Sequence, residues 1–344
     1  MGSHRATTLQ DIADRLGVSR STVSYAITGR GRVSERTRRQ VLDVAHELGY
    51  RPNPVARHLR GSRTGVVALM LPRHTTTMSY YMEATFGVAE EAERSGMIVS
   101  LLTSGAAPTA VDRVNADGII LLDPDADDPS ARTVLSGGAP VVTGEPVPPG
   151  LPAGRATVMS DHARGIAELM DHLFERGARH PALVLPQIRL FWVLSVRAAF
   201  ERWCAAHGVV PRIVTIPHPA TPEDIDGGIA RLLAEGPATV DAIVAGSDGV
   251  VLNIVTGAER RGRRVGADLL VATAVDAGIL ELTRPSITAL DLHPRQFGRQ
   301  SVRALLALIE ADAAGTPVDP VTLTVPIELV RRASTTGGIA GPAA

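Results

Sequence analysis

The chain has 344 residues, 44% apolar and 21% charged, and one cysteine, Cys204. It is long enough for two or three domains with a substantial core, and it excludes an intramolecular disulfide framework and a four-thiolate zinc site. The formal net charge of −1 conceals an asymmetry, because residues 1–63 carry twelve arginines against five acids (+7) while residues 64–344 carry 23 against 31 (−8).

The basic head points to a polyanionic partner, which the acidic remainder would avoid. Leu9, Ile12, Ala13 and Leu16 share one face of a helix entered at Thr8, with Asp11 as its capping-box partner. Gly17 and Val18 stop it. Ser19 caps a second helix with Val23, Ala26 and Ile27 facing inward, ended by Thr28 and Gly29. A third begins after Ser34 and buries Val41, Val44, Ala45 and Leu48. Two short helices joined by a tight turn and braced by a third describe a helix-turn-helix. The outward positions of its second helix, Arg20, Ser21, Thr22, Ser24 and Tyr25, suit hydrogen bonding to base edges or phosphates.

Asn53 and Pro54 then specify a short helix running to Gly61. Val55 and Leu59 form an apolar edge between Arg57 and Arg60, suited to wedging into a minor groove. Beyond Arg63, short apolar runs alternate with amphipathic helices. Val66–Leu71, Met97–Leu102, Gly118–Leu122, Pro140–Thr143, Ala182–Leu185, Ile213–Ile216, Ala242–Ala245 and Leu269–Ala272 are predicted strands. Tyr81–Arg94, Ala163–Arg176, Leu194–His207, Pro222–Leu233 and Val250–Arg261 are predicted helices. This alternation predicts two doubly wound parallel-sheet units, with the proline-rich stretch from Glu145 as a surface loop.

From Thr8 to Thr335 the chain resembles the lactose-repressor (LacI-type) family of bacterial transcription regulators. The resemblance rests on the runs TLQDIA from Thr8, GVSRSTVS from Gly17, LGYRPNPVAR from Leu48 and ELVRRAST from Glu328. It implies an N-terminal all-α helix-turn-helix head plus an α/β, periplasmic-binding-protein-like body. The expected domains are a head at 7–52, a hinge helix and linker at 53–63, and an effector-binding and dimerisation domain at 64–335. Within that domain, subdomain 1 takes 64–161 with 291–318 and subdomain 2 takes 162–290 with 319–335, leaving a disordered tail at 336–344.

By the same resemblance Arg20, Ser21 and Tyr25 read bases. Ser19, Thr22, Ser24 and Thr28 hold the backbone, and Asn53, Ala56 and the intercalating Leu59 contact DNA from the hinge. The implied function is a cytoplasmic, nucleoid-associated repressor that binds a pseudo-palindromic operator as a homodimer. A small effector, a sugar by family, switches it through the cleft between subdomains.

The cleft departs from the family pattern. Val196 stands where an effector-gripping arginine is usual, with Arg197 beside it; Val275 replaces the first of two aspartates and leaves Asp276; Ser247 replaces an asparagine before Asp248. Tyr80, Tyr81, Phe191 and Trp192 concentrate four of the chain's eleven aromatics in two cleft loops. The expected effector residues are therefore Tyr80, Phe191, Trp192, Arg197, Ser247 and Asp276, and the expected ligand is less polar or more aromatic than a common sugar. The segment 105–113 is shorter than the family's usual helix.

No catalytic motif is found, and no cofactor or metal is expected. Cys204 with His207 reads as a buried thiol and a helix-end histidine, and the pairs Asp161-His162 and Asp171-His172 as solvated polar faces. A ligand-binding protein without DNA function would lack the basic head, and a sugar-processing enzyme on the same fold would need a catalytic constellation. No apolar run reaches the ~18 residues of a membrane helix, and no signal-peptide core is present.

Overall fold

The computed structural model describes residues 7–28, 33–48, 63–73, 79–105, 111, 113–234 and 239–337. It divides into two compact units, Met1–Thr64 and Gly65–Ala344.

The first unit holds α1 (Leu9–Leu16), α2 (Arg20–Thr28) and α3 (Glu35–Glu47). The Thr8 hydroxyl accepts from the Asp11 amide at 3.3 Å, and the Asp11 carboxylate accepts from the Thr8 amide at 2.7 Å, a complete capping box. Gly17 ends α1 in the left-handed conformation, φ 62°. Ser19 accepts from the Thr22 amide at 3.1 Å and Ser34 from the Thr37 amide at 3.2 Å, so each later helix also starts at a serine. Ile12, Ala13, Val23, Ala26, Val41 and Ala45 form the core. Leu48 does not join it: the residue lies just past the end of α3, 36% exposed, where its carbonyl accepts from the Thr7 hydroxyl. The expected hinge helix, with Asn53, Ala56 and Leu59, lies outside the described residues.

The second unit opens with β1 (Val66–Leu71), α4 (Ser79–Arg94), β2 (Ile98–Thr103), β3 (Gly118–Leu122), α5 (Pro129–Ser136), β4 (Val141–Gly144) and β5 (Ala156–Ser160). It continues with α6 (His162–Glu175), β6 (Pro181–Pro186), α7 (Phe191–Ala206), β7 (Arg212–Ile216), α8 (Pro222–Leu233), β8 (Ala242–Ala245), α9 (Asp248–Arg260), β9 (Leu270–Thr273), α10 (Ile279–Leu282) and β10 (Thr288–Asp291). The last elements are α11 (Pro294–Ala314), β11 (Val321–Val325), β12 (Glu328–Val330) and α12 (Ala333–Thr336).

Two six-stranded sheets result, ordered β2-β1-β3-β4-β5-β11 and β7-β6-β8-β9-β10-β12. All neighbours are parallel except β10 with β12. In each, the first strand lies between the second and third, so the crossover direction reverses at β1/β3 and at β6/β8. Strands β3, β4, β6, β8 and β9 are buried along their whole length, which explains why they read as unbroken apolar runs.

One boundary moves. Residues 319–335 were expected together in the second subdomain, but β11 pairs with β5 from Val321↔Ala156 to Val325↔Ser160, in the first sheet. The chain crosses between sheets only after Val325, because β12 pairs with β10 in the second. Helix α11 lies along α4, where a Cβ at Gly87 or Gly298 would overlap the facing backbone. Ion pairs Arg299–Glu90 (2.6 Å) and Arg303–Glu91 (2.8 Å) flank that contact.

Candidate nucleic-acid interface and interlobe cleft

Helix α2 separates its faces cleanly. Val23 and Ala26 are buried against α1 and α3, which leaves Arg20, Ser21 and Tyr25 exposed, Tyr25 by 48%. Ser19 bonds the hydroxyls of Ser21 and Thr22 at 2.8 Å each, fixing the first turn. Thr22 and Ser24 are half-buried, and Thr28 is the last residue of the helix. The first turn carries no acid that would repel a phosphate at the positive end of the helix dipole.

In the second unit, a cavity lies where the carboxyl ends of both sheets meet. Its inner part has a volume of about 20 Å³, room for about one water; an adjoining outer part has about 170 Å³. Asp123 follows β3, Glu145 follows β4 and His162 opens α6 after β5. Opposite them are Trp192 and Val196 of α7, Gly246 after β8, Val275 after β9 and Leu292 after β10. Tyr80 and Tyr81, in the first turn of α4, close one side with their rings edge to face, 5.4 Å between centroids. Six strands, β3, β4, β5, β8, β9 and β10, thus end by presenting a residue to the same cavity, the general location of ligands in doubly wound sheets.

The polar side chains there are held under tension. Asp123 and Glu145 have left-handed backbones, φ 45° and 71°, a conformation rare for residues with a side chain. Their amides are tied to the neighbouring strands, Asp123 to the Gly144 carbonyl at 2.7 Å and Glu145 to the Val158 carbonyl at 2.8 Å. Tyr81 donates its hydroxyl to Asp123 Oδ2 at 2.7 Å. Glu145 Oε1 accepts from the Ser160 amide and lies 3.1 Å from His162 Nε2. Among the described residues Asp123 Oδ1, Glu145 Oε2 and Trp192 Nε1 have no partner, although all three are buried. Burial, then the charge of Glu145, push the Asp123 carboxyl up to about 7, against the opposing Tyr81 hydrogen bond. Burial raises the Tyr80 and Tyr81 phenols well above their usual range, so both stay protonated donors.

The lobes also meet at a latch. Asp248, at the start of α9, accepts from the Ser79 hydroxyl at 2.6 Å and the Ser79 amide at 3.0 Å, at the start of α4. Burial raises the Asp248 pKa, with the Ser79 bonds opposing.

Of the effector residues expected from sequence, Tyr80 and Trp192 line the cavity. Arg197 does not: its side chain is on the outer face of α7, paired with Glu201 at 2.9 Å. One helical position from Val196 is enough to turn it away. Asp276 is engaged by Arg332 through two bonds of 2.8 and 2.7 Å and serves the fold. Ser247 is buried as the N-cap of α9 without bonding a cap amide, and Phe191 is half-buried at the start of α7, outside the cavity lining.

Three other readings change. Glu145, placed in a surface loop, is 4% exposed and lines the cavity. His162 and His172 are not on solvated faces: His162 contacts Glu145, and His172 bonds the buried Thr335 hydroxyl at 2.8 Å. Asp161 caps α6 and Asp171 accepts from Trp203 Nε1 at 2.6 Å. Cys204 is buried, and its thiol is pushed up to about 11 by that burial, which leaves it unreactive. Asp123 was overlooked and Glu145 assigned to a surface loop although the sequence carried a signal, an apolar run ending in an acid and then proline, at Leu122-Asp123-Pro124 and Gly144-Glu145-Pro146. Among the described residues no cluster of three or more metal-ligating side chains occurs, and no helix is long and apolar enough to cross a membrane.

A three-helix head with an exposed polar reading face, joined in sequence to a two-sheet body with an interlobe cleft, defines a helix-turn-helix regulator with a periplasmic-binding-protein-like sensor. Comparison with known proteins agrees. Residues 8–53 match the family described as bacterial regulatory proteins, lacI family, and residues 170–335 match the periplasmic binding protein-like domain. The chain carries a lacI-family DNA-binding head and a periplasmic binding protein-like domain, and it is a DNA-binding transcriptional regulator.

The transcriptional regulator CelR of Thermobifida fusca is 29% identical over 97% of this chain and 100% of its own length. The ribose operon repressor of Halalkalibacterium halodurans is 26% identical, covering 96% of this chain and 98% of that protein. Among solved structures, a CelR–cellobiose complex superposes with a TM-score of 0.70 at 26% identity, covering 95% of this chain and 99% of that one. The lac repressor dimer bound to operator and an anti-inducer gives 0.81 at 22% identity, covering 96% and 99%, a likeness of fold.

Proposed function

We propose that the protein is a cytoplasmic, nucleoid-associated repressor that binds a pseudo-palindromic operator as a homodimer and is released from it, or fixed on it, by a small molecule in the interlobe cleft. The observation that carries the reading is the reading face of α2, with Arg20, Ser21 and Tyr25 exposed over the buried Val23 and Ala26. Arginine is the commonest specific reader of guanine, and the two hydroxyl residues serve either bases or phosphates. Ser19, Thr22, Ser24 and Thr28 hold the backbone, and Asn53, Ala56 and Leu59 are assigned to the hinge from sequence alone.

One such helix reads only a few base pairs, so useful specificity requires two half-sites and a dimer. The exposed Met82 and Phe86 of α4 and Ile98 and Leu101 of edge strand β2 supply apolar surface for a second copy. Related proteins are solved with cellobiose or on operator DNA, which supports a small effector and a duplex as the two ligands here. A ligand preferring one separation of the lobes would change the dimer's DNA affinity by its preference between the two states.

Selection from random duplex DNA tests this reading. Enrichment of an inverted repeat with half-sites about one helical turn apart, centre to centre, is expected. Enrichment of single half-sites or of no sequence would refute it.

A further inference from the structure

We propose that the cleft takes a small organic cation, a compact protonated amine whose ammonium group is received by Asp123 and Glu145 in the cavity that Trp192 also lines. This rests on the reading of the cleft as the effector site and gives that effector a chemical class.

The argument starts from charge. Asp123 and Glu145 are 6% and 4% exposed, each leaves one carboxylate oxygen without a partner among the described residues, and both line the inner cavity. A buried carboxylate demands a counter-charge or a full set of donors. His162 is the only basic side chain among the described residues lining the inner cavity, and it faces Glu145 Oε1, leaving Oε2 open. The outer part adds Asp125 and Asp128 alongside the basic His218. Arg73 at its edge is exposed and donates Nε to the Ser104 carbonyl at 3.2 Å.

A neutral sugar supplies hydroxyls that both donate and accept, and is best received by donors and acceptors together. The described inner lining offers two open carboxylate oxygens as acceptors, and as donors the Tyr80 hydroxyl and Trp192 Nε1. An ammonium group only donates, with three protons, and so matches the open carboxylate oxygens. The aromatic side chains of Tyr80 and Trp192 in the lining add a surface on which a cation is favoured over a neutral group. The Asp123 carboxyl is raised first by burial and then by the charge of Glu145, a penalty that a bound cation would reduce.

The test is calorimetric titration and thermal shift of the full-length protein with matched pairs of amine and neutral analogue: glucosamine with glucose, galactosamine with galactose, mannosamine with mannose, and ethanolamine with ethylene glycol. At least one amine is expected to bind about tenfold or more tightly than its neutral partner, as charge-assisted hydrogen bonds allow. That preference should vanish in Glu145→Gln and in Asp123→Asn, each first shown by urea unfolding to be folded. Neutral members binding as tightly as their amines in every pair, or no amine binding at all, overturns the proposal whatever the variants do. Trp192→Ala separates the two readings. Neutral ligands lost in that variant would leave the cleft as effector site with the cation class wrong; ligands that bind it unchanged would remove the cleft itself.

Discussion

The Tyr81 hydroxyl donates to Asp123 Oδ2 at 2.7 Å and so ties the first turn of α4 to the end of β3 at the floor of the cleft. The bond favours ionised Asp123, yet burial and Glu145 prevail, and the carboxyl sits near 7. A carboxyl whose pKa is raised in the folded state binds more protons folded than unfolded, so stability falls as pH rises from about 4 to about 7. Asp123→Asn removes that loss. The variant should be the more stable by a few kcal/mol at pH 8 and lose this advantage towards pH 4, read from urea midpoints. Tyr80, Tyr81, Glu145 and His162 face the same site and remain unchanged between the two proteins.

Arg332 and Asp276 form a second decisive pair. Their side chains are 13% and 17% exposed, and two parallel bonds join the turn after β9 to the end of β12. Removing either partner should destabilise the body by about 2–3 kcal/mol, and removing both by less than the sum. An additive double-mutant cycle would show the pair to be uncoupled.

The latch at Ser79 and Asp248 predicts local dynamics. Asp248→Ala leaves the first turn of α4 without its cross-lobe acceptor. Amide exchange at 79–84 should accelerate by roughly tenfold, the factor expected for a hydrogen bond to a charged group. The distant α8 should be unaffected.

Phe86 is 46% exposed on α4, four residues beyond Met82, itself 59% exposed. Phe86→Asp should convert the dimer to monomer in analytical ultracentrifugation and weaken operator binding, because a lone head retains half the contacts. A dimer unchanged by this charge would place the copy-to-copy contact elsewhere.

The head was readable from sequence almost residue by residue, since its signals are local: apolar spacing, a capping box at Thr8 and Asp11, serine caps, and Gly17. The buried strands were readable because parallel strands covered on both faces leave apolar runs. Strands β5, β10, β11 and β12 were not: Ala156–Ser160, Thr288–Asp291 and Val321–Val325 mix polar with apolar residues, Glu328–Val330 spans three residues, and β11 is an exposed edge. The cleft was least legible. Asp123, Glu145 and His162 follow three different strands and meet only because the sheet aligns its carboxyl ends. Arg197 failed for the converse reason, since one residue along a helix rotates a side chain about 100°.

The most direct test of the account is a titration of the wild type and of a variant with Arg20, Ser21 and Tyr25 replaced by alanine against the selected operator and a scrambled duplex, at low and moderate salt. The wild type should prefer the operator and lose roughly a thousandfold in affinity between about 50 and about 200 mM salt. The variant should keep its oligomeric state and salt-dependent binding while losing the preference, at about 1–3 kcal/mol per base contact removed. A variant that still selected the parental operator would contradict the assignment of α2 as the reading element.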